Sequence, residues 1–224
     1  MNTLIILVHG DDAPDVRSDE YRFAAAVQRA VTGSAAVAIL RPGHADRLGN
    51  RSPGDPGLGA GDSYDPARTA AIEGAVARIK AGYPKARVVM VGDDGGAAIV
   101  ADLAGLRPGL FDGMVLVGCP CSLPEWRAHM AKRAAGAGWG APVASLDPLK
   151  AAGGIAPDLR AAVLVGAQDA VTPVKLSRAY AEALVLRGIA TDYRIVPGEG
   201  HDLLNHAEVL AATQRLAASL PRRN

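Results

Sequence analysis

Two patterns alternate along the chain, and this alternation constrains the fold more than any other feature. Short apolar runs recur at Thr3–Val8, Ala35–Leu40, Ala86–Val91, Met114–Val117, Ala161–Val165 and Tyr193–Val196. Near-continuous apolar runs of this length read as strands covered on both faces. Between them lie Ala-rich stretches with helical spacing at Ser18–Val31, Ala67–Ala81, Gly96–Ala104, Pro173–Leu186 and Ala207–Leu220. Ser18 is an N-cap candidate for the first, and Pro173 suits the first turn of its helix. Strand–helix alternation predicts an α/β fold, with about six mostly parallel strands and helices on both faces. The pattern holds no second core, so residues 1–224 read as a single domain.

Two segments break the rhythm. Arg41–Pro66 is rich in Gly, Pro and Asp, and Cys119–Pro157 holds an amphipathic stretch, Glu125–Ala135, within Gly/Ala/Pro-rich chain. Long loops in a compact domain tend to carry function, and in an open parallel sheet ligands bind at the strand carboxyl ends. Residues 119–157 read as a small lid-like insertion.

Composition removes several classes. With 24 Lys+Arg against 23 Asp+Glu, the formal net charge is +1. There is no basic surplus to neutralise phosphates, so no nucleic-acid partner is expected. Cys119 and Cys121 lie too close together for a disulfide framework and match no zinc spacing; they read as small buried thiols. The opening MNTLIILVHGDD lacks a basic region before its apolar run, and no run reaches the ~18 apolar residues of a span. The expectation is a cytoplasmic protein without a membrane partner. Aromatics make up only 4%, so the core must be aliphatic. No cofactor or metal motif stands out, and none is expected.

The first chemical signal is Val91-Gly92-Asp93-Asp94-Gly95-Gly96, between an apolar strand and an Ala-rich helix. Small residues at 92 and 96 let strand and helix approach around a sharp turn. This is the requirement of a nucleophile elbow, G-x-Nu-x-G, with Asp94 in the nucleophile position. Taken alone, Asp94 also reads as a helix cap. Two further segments follow strands: Gly166-Ala167-Gln168-Asp169 and Gly198-Glu199-Gly200-His201. All three members therefore converge on one edge of the sheet.

The order of nucleophile position, acid and His resembles the α/β-hydrolase superfamily. Leu7-Val8-His9-Gly10-Asp11 resembles its strand-HG segment, and Arg41-Pro42-Gly43-His44 its Arg/Pro-Gly loop. The resemblance runs from about Leu4 to Leu220 and implies an α/β-hydrolase fold with a triad of Asp94, Asp169 and His201. It also implies an oxyanion hole made by the backbone N–H groups of Asp11 and Gly95. The small size resembles compact prolyl-oligopeptidase-like or dienelactone-hydrolase-like members. Those carry Gly-His-Ser-Gly-Gly where this chain has Gly92-Asp93-Asp94-Gly95-Gly96.

An aspartate changes the chemistry. A serine needs its proton removed, whereas a carboxylate is already ionised at neutral pH. It can displace a leaving group from carbon, after which His201, oriented by Asp169, activates water. Haloalkane dehalogenases and epoxide hydrolases of the superfamily work this way. This chain departs from them in having Gly95 where they carry Trp, and no Tyr in 119–157. Trp126 and Trp139 are candidate halide donors or packing residues, and Tyr64 is a candidate acid. His9 is placed beside the oxyanion loop as a structural residue and His44 in its own loop, and both are candidate pocket residues.

Asp11, Asp12, Asp93 and Asp94 end two neighbouring strands. Their repulsion is relieved by raised carboxyl pKa values and a protonated His201, by a divalent cation, or by the first three facing solvent or capping backbone. Two functions stay open. One is hydrolysis of a small uncharged substrate, ester-like or an alkyl halide or epoxide. The other is a serine-hydrolase scaffold whose nucleophile was replaced by Asp94, retained for binding.

Overall fold

The computed structural model describes residues 2–11, 15–16, 19–134 and 138–221, with backbone alone at 15–16. Asp12, the N-cap candidate Ser18 and Ala135 lie outside the described residues. Along the chain run β1 (Thr3–Val8), β2 (Asp15–Val16), α1 (Asp19–Ala30), β3 (Ser34–Ile39), β4 (Ala45–Asp46), α2 (Pro66–Ala81), β5 (Arg87–Asp93) and α3 (Gly95–Leu106). There follow β6 (Gly113–Val117), α4 (Leu123–Arg133), the one-turn α5 (Pro148–Ala151), β7 (Arg160–Gly166), α6 (Val174–Leu186), β8 (Ala190–Val196) and α7 (Ala207–Ser219).

Six strands form one sheet in the order β3-β1-β5-β6-β7-β8, every neighbouring pair parallel. Alternation of side chains explains how apolar runs fill two layers. Ile5, Leu7, Val89, Val91, Val115 and Val117 point to the face covered by α1 and α7. Leu4, Ile6, Val88, Met90, Met114 and Leu116 point to the face where α2, α3 and α6 pack. Both layers are mainly aliphatic. The six-strand parallel expectation holds, and boundaries agree within a few residues.

The largest discrepancy is β8, which begins at Ala190 rather than Tyr193. Ala190-Thr191-Asp192 is polar because β8 is an edge strand, exposed or half-buried over most of its length. The Arg41–Pro66 loop also holds β4, which pairs with β2, and a bridge from Ala45 to Arg51.

The cysteine reading needs correction. Cys119 and Cys121 are buried, but they are bonded to each other rather than free. Pro120 between them bends the chain, and their Cα atoms lie 5.1 Å apart, inside the range a disulfide spans. No helix among the described residues is long and apolar enough to cross a membrane.

Glycines at the elbow permit a close approach of backbone to backbone. A Cβ on Gly96 would lie 2.1 Å from the Val8 carbonyl oxygen, and one on Gly92 2.5 Å from Ala97 Cα. Both obstacles are backbone and cannot swing aside. Gly96→Ala is therefore expected to destabilise the chain by about 3 kcal/mol or more, whereas Gly140→Ala, with open space around it, leaves the melting temperature unchanged. Thermal unfolding of the two variants beside the parent checks this, and equal melting temperatures would contradict it.

Candidate active site

Asp94 sits between β5 and α3 at φ 46°, ψ −116°, the one non-glycine with positive φ among the described residues. Such a conformation costs about 1–3 kcal/mol and persists only where its surroundings enforce it. Here the Asp94 N–H donates to the Val117 carbonyl at 2.9 Å. The side chain makes no cap bond to α3. Instead it turns toward β1: the Asp11 N–H donates to Asp94 Oδ2 at 3.1 Å. Its other oxygen, Oδ1, lies 3.6 Å from His201 Nε2. The expected triad members are thus together, and one expected oxyanion donor, the Asp11 amide, is bonded to the Asp94 carboxylate itself.

His201 is held from its other side. Its Nδ1 lies 2.9 Å from Asp169 Oδ2. The Thr172 hydroxyl donates to the same oxygen at 2.7 Å, and the Val171 and Thr172 N–H groups hold Oδ1 at 2.9 and 2.7 Å. Gly118 walls the ring, since a Cβ there would lie 3.2 Å from His201 Cε1. Burial works against a charge on His201, but Asp169 and Asp94 outweigh it and lift its pKa to about 11. Burial likewise pushes Asp94 and Asp169 up; His201 outweighs this and holds both carboxyls below their usual range. The site is a carboxylate–imidazolium–carboxylate chain.

A second network stands behind Asp94. Arg41 is fully buried, and its Nη1 donates to Asp11 Oδ1 at 2.6 Å and to the Gly10 carbonyl at 3.0 Å. Its Nη2 donates to Ser63 Oγ at 2.7 Å. The Tyr64 hydroxyl donates to Asp11 Oδ2. Burial pushes the Asp11 carboxyl above its ordinary range; Arg41 opposes this and Asp94 adds to it. Burial also raises Tyr64 well above a free phenol, so it keeps its proton. Asp11 therefore does not face solvent. Arg41 and a protonated His201 relieve the crowding of carboxylates, and no group of three or more metal-binding side chains is assembled among the described residues.

The remaining candidates lie around this network. His9 Nε2 accepts from the Arg41 N–H at 3.0 Å, so its Nδ1 carries the proton and donates to the Gly10 carbonyl at 2.8 Å. Burial and the Arg41 charge keep that ring neutral. His44 packs edge-on against it at 4.7 Å. Both are buried supports of the Asp11 loop. Trp126 touches Tyr64, and its N–H donates to the Val171 carbonyl at 3.1 Å, so that group is not free for a halide. Trp139 stacks edge-on against Trp126 at 5.2 Å, and its indole N–H is unbonded. Sequence reasoning missed Arg41 as a buried counter-ion, Ser63, Thr172, and Arg127, whose guanidinium holds the Ala60, Trp139 and Ala141 carbonyls.

No family model and no curated protein matches the chain by sequence. Solved structures match it over almost its whole length. An esterase of Pyrococcus furiosus, Pf2001, superposes with a TM-score of 0.73 at 13% identity, over 97% of this chain and 81% of that one. Esterase PE8 gives 0.69 at 16% identity, over 98% and 93%. The acylaminoacyl peptidase of Pyrococcus horikoshii gives 0.68 at 15% identity over 96% of this chain, which spans about a third (35%) of the peptidase. The chain has the α/β-hydrolase fold. The β5–α3 turn of this chain carries Asp94.

The raised pKa of His201 makes stability depend on pH. A group whose pKa is higher folded than unfolded contributes fully below its unfolded value, and the contribution fades as pH rises through the folded value. For His201 the window runs from about 6.5 to about 11. The stability difference between the parent and His201→Gln is expected to be largest near the bottom of that window and to shrink toward its top. Chemical denaturation across the range checks this; a difference that stays flat or grows contradicts it.

Proposed function

We propose that the protein is a hydrolase in which the Asp94 carboxylate attacks a small uncharged substrate at a saturated carbon. The observation that carries this reading is the division of labour between the two Asp94 oxygens. Oδ2 is held by the Asp11 amide, while Oδ1, buried and without a hydrogen-bond partner, faces His201 at 3.6 Å, the gap a substrate carbon must enter to reach it. Oδ1 attacks carbon, a C–O bond forms, and the bond to the leaving atom breaks. Ester formation removes the Asp94 charge, one of the two charges that lift His201. The imidazole then loses its proton more easily and serves as base toward water.

In the second step water attacks Asp94 Cγ. Oδ2 becomes the oxyanion, already seated on the Asp11 N–H and near that of Gly95. The ester Cγ–O bond breaks, the second proton of the attacking water passes to the departing oxygen so that the product leaves as an alcohol, and the first stays on His201, restoring the ion pair. The proton account favours a leaving oxygen. His201 must lose one proton before it acts as base, and the opened oxygen of an epoxide takes up one. A halide leaves without a proton. Three carboxylates, Asp11, Asp94 and Asp169, stand against two cations, which disfavours an anionic substrate.

A second reading rests on one observation: the amide that a serine enzyme leaves open for its oxyanion is filled by the chain's own carboxylate. A serine-hydrolase scaffold retained for binding is consistent with that. Single turnover of an epoxide in water enriched in heavy oxygen tests the choice. With Asp94 as nucleophile, heavy oxygen enters the Asp94 peptide and the product carries ordinary oxygen. His201→Gln is expected to slow hydrolysis by about 10²–10⁴-fold and, with a haloalkane, whose departure takes no proton, to accumulate the ester as added mass. Silence of the parent toward epoxides, haloalkanes and esters, with esterase activity appearing in Asp94→Ser, would overturn the nucleophile in favour of binding.

A further inference from the structure

Away from Asp94 and His201, the sheet ends in a long edge. β8 is the last strand in the order and pairs with β7 alone among the described residues. Its seven residues, Ala190-Thr191-Asp192-Tyr193-Arg194-Ile195-Val196, carry no Pro and no Lys, and all but Val196 are exposed or half-buried. Such an edge offers a row of backbone groups for pairing with another chain, and proteins normally blunt it. Here its only charges are Asp192 and Arg194.

Those charges are self-complementary. In an antiparallel pair centred on Tyr193, Asp192 faces Arg194 of the second copy, twice, and Thr191 faces Ile195. Centring on Asp192 or Arg194 would instead set like charges opposite each other, which is destabilising. Facing residues share parity, so outward-pointing N–H and C=O groups of one copy meet those of the other. Within one chain Asp192 already accepts from Arg194 at 2.6 Å and from Arg215 at 3.0 Å, so both signs are positioned at the edge. Apolar surface flanks it: Ile195 is 37% exposed, and Val185 and Leu186, at the end of α6, are 59% and 88% exposed.

We propose that β8 pairs antiparallel with β8 of a second copy of this chain, about a twofold axis at Tyr193. The contact is isologous and closed, so it stops at a dimer. The two six-stranded sheets join into one, and the two Asp94 sites lie at strand ends away from the axis. The proposal does not rest on the hydrolase reading.

Light scattering of the full chain is expected to give about twice its mass of 23.0 kDa. Asp192→Arg, which sets Arg opposite Arg, should return the mass to that of one chain. A cysteine at the axis faces itself. Tyr193→Cys should therefore cross-link on mild oxidation at least about tenfold faster than Thr191→Cys, whose two copies lie about 14 Å apart. Cys119 and Cys121 are bonded to each other and do not compete. A monomeric parent at submillimolar concentration overturns the proposal, as does an Asp192→Arg variant that remains dimeric. Equal cross-linking at 191 and 193 also overturns it, and circular dichroism of each variant establishes that the fold is kept.

Discussion

Asp94 keeps its charge inside a buried turn because two cations stand close to it. An isolated carboxylate taken out of water costs several kcal/mol, and removing one partner of a buried pair costs about 3–5 kcal/mol. His201 meets Asp94 directly, at 3.6 Å. Arg41 acts one residue away, through Asp11 and the Gly10 carbonyl, and so also fixes the backbone whose amide holds Oδ2. The Arg41 loop, the Asp11 loop, the elbow and the His201 loop are in this sense one electrostatic unit. It is assembled at the carboxyl ends of β1, β3 and β5 and on the loops after β7 and β8.

Geometry and charge reinforce each other there. The elbow imposes a backbone conformation that an aspartate adopts only under constraint, and the constraint comes from contacts that leave no room for a Cβ at Gly92 and Gly96. The reward is orientation. One carboxylate oxygen is fixed on an amide, the other is aimed at an imidazolium, and little motion separates this ground state from an oxyanion at the same place. Preorganisation of this kind is how a site stabilises developing charge without rearranging.

Much of this was legible in the chain. The four inner strands of the sheet and the edge strand β3 are long enough and apolar enough to read directly, as in β1, and glycines around Asp94 mark the elbow. β8 reads short because this edge strand mixes polar with apolar residues, and β2 and β4 are only two residues long. The positions of Asp94, Asp169 and His201 follow from their places just after strands. Arg41 is different. It stands in a Gly- and Pro-rich loop, and nothing local says that a loop arginine will be fully buried; its role depends on where Asp11 comes to lie. The Cys119–Cys121 bond is not legible for a similar reason, since spacing alone does not reveal that the two Cα atoms come to lie 5.1 Å apart.

The protonation state of His201 is the most direct measure of the account, because it reports whether Asp94 and Asp169 are both ionised beside it. Nitrogen-15 spectra of the imidazole in the unliganded protein would read it at pH 8.5, where a free histidine is neutral. The account predicts an imidazolium, with both ring nitrogens protonated, in keeping with a pKa of about 11. A neutral ring at that pH would mean that the carboxylates do not hold it charged, and the ion pair on which the site is built would be wrong.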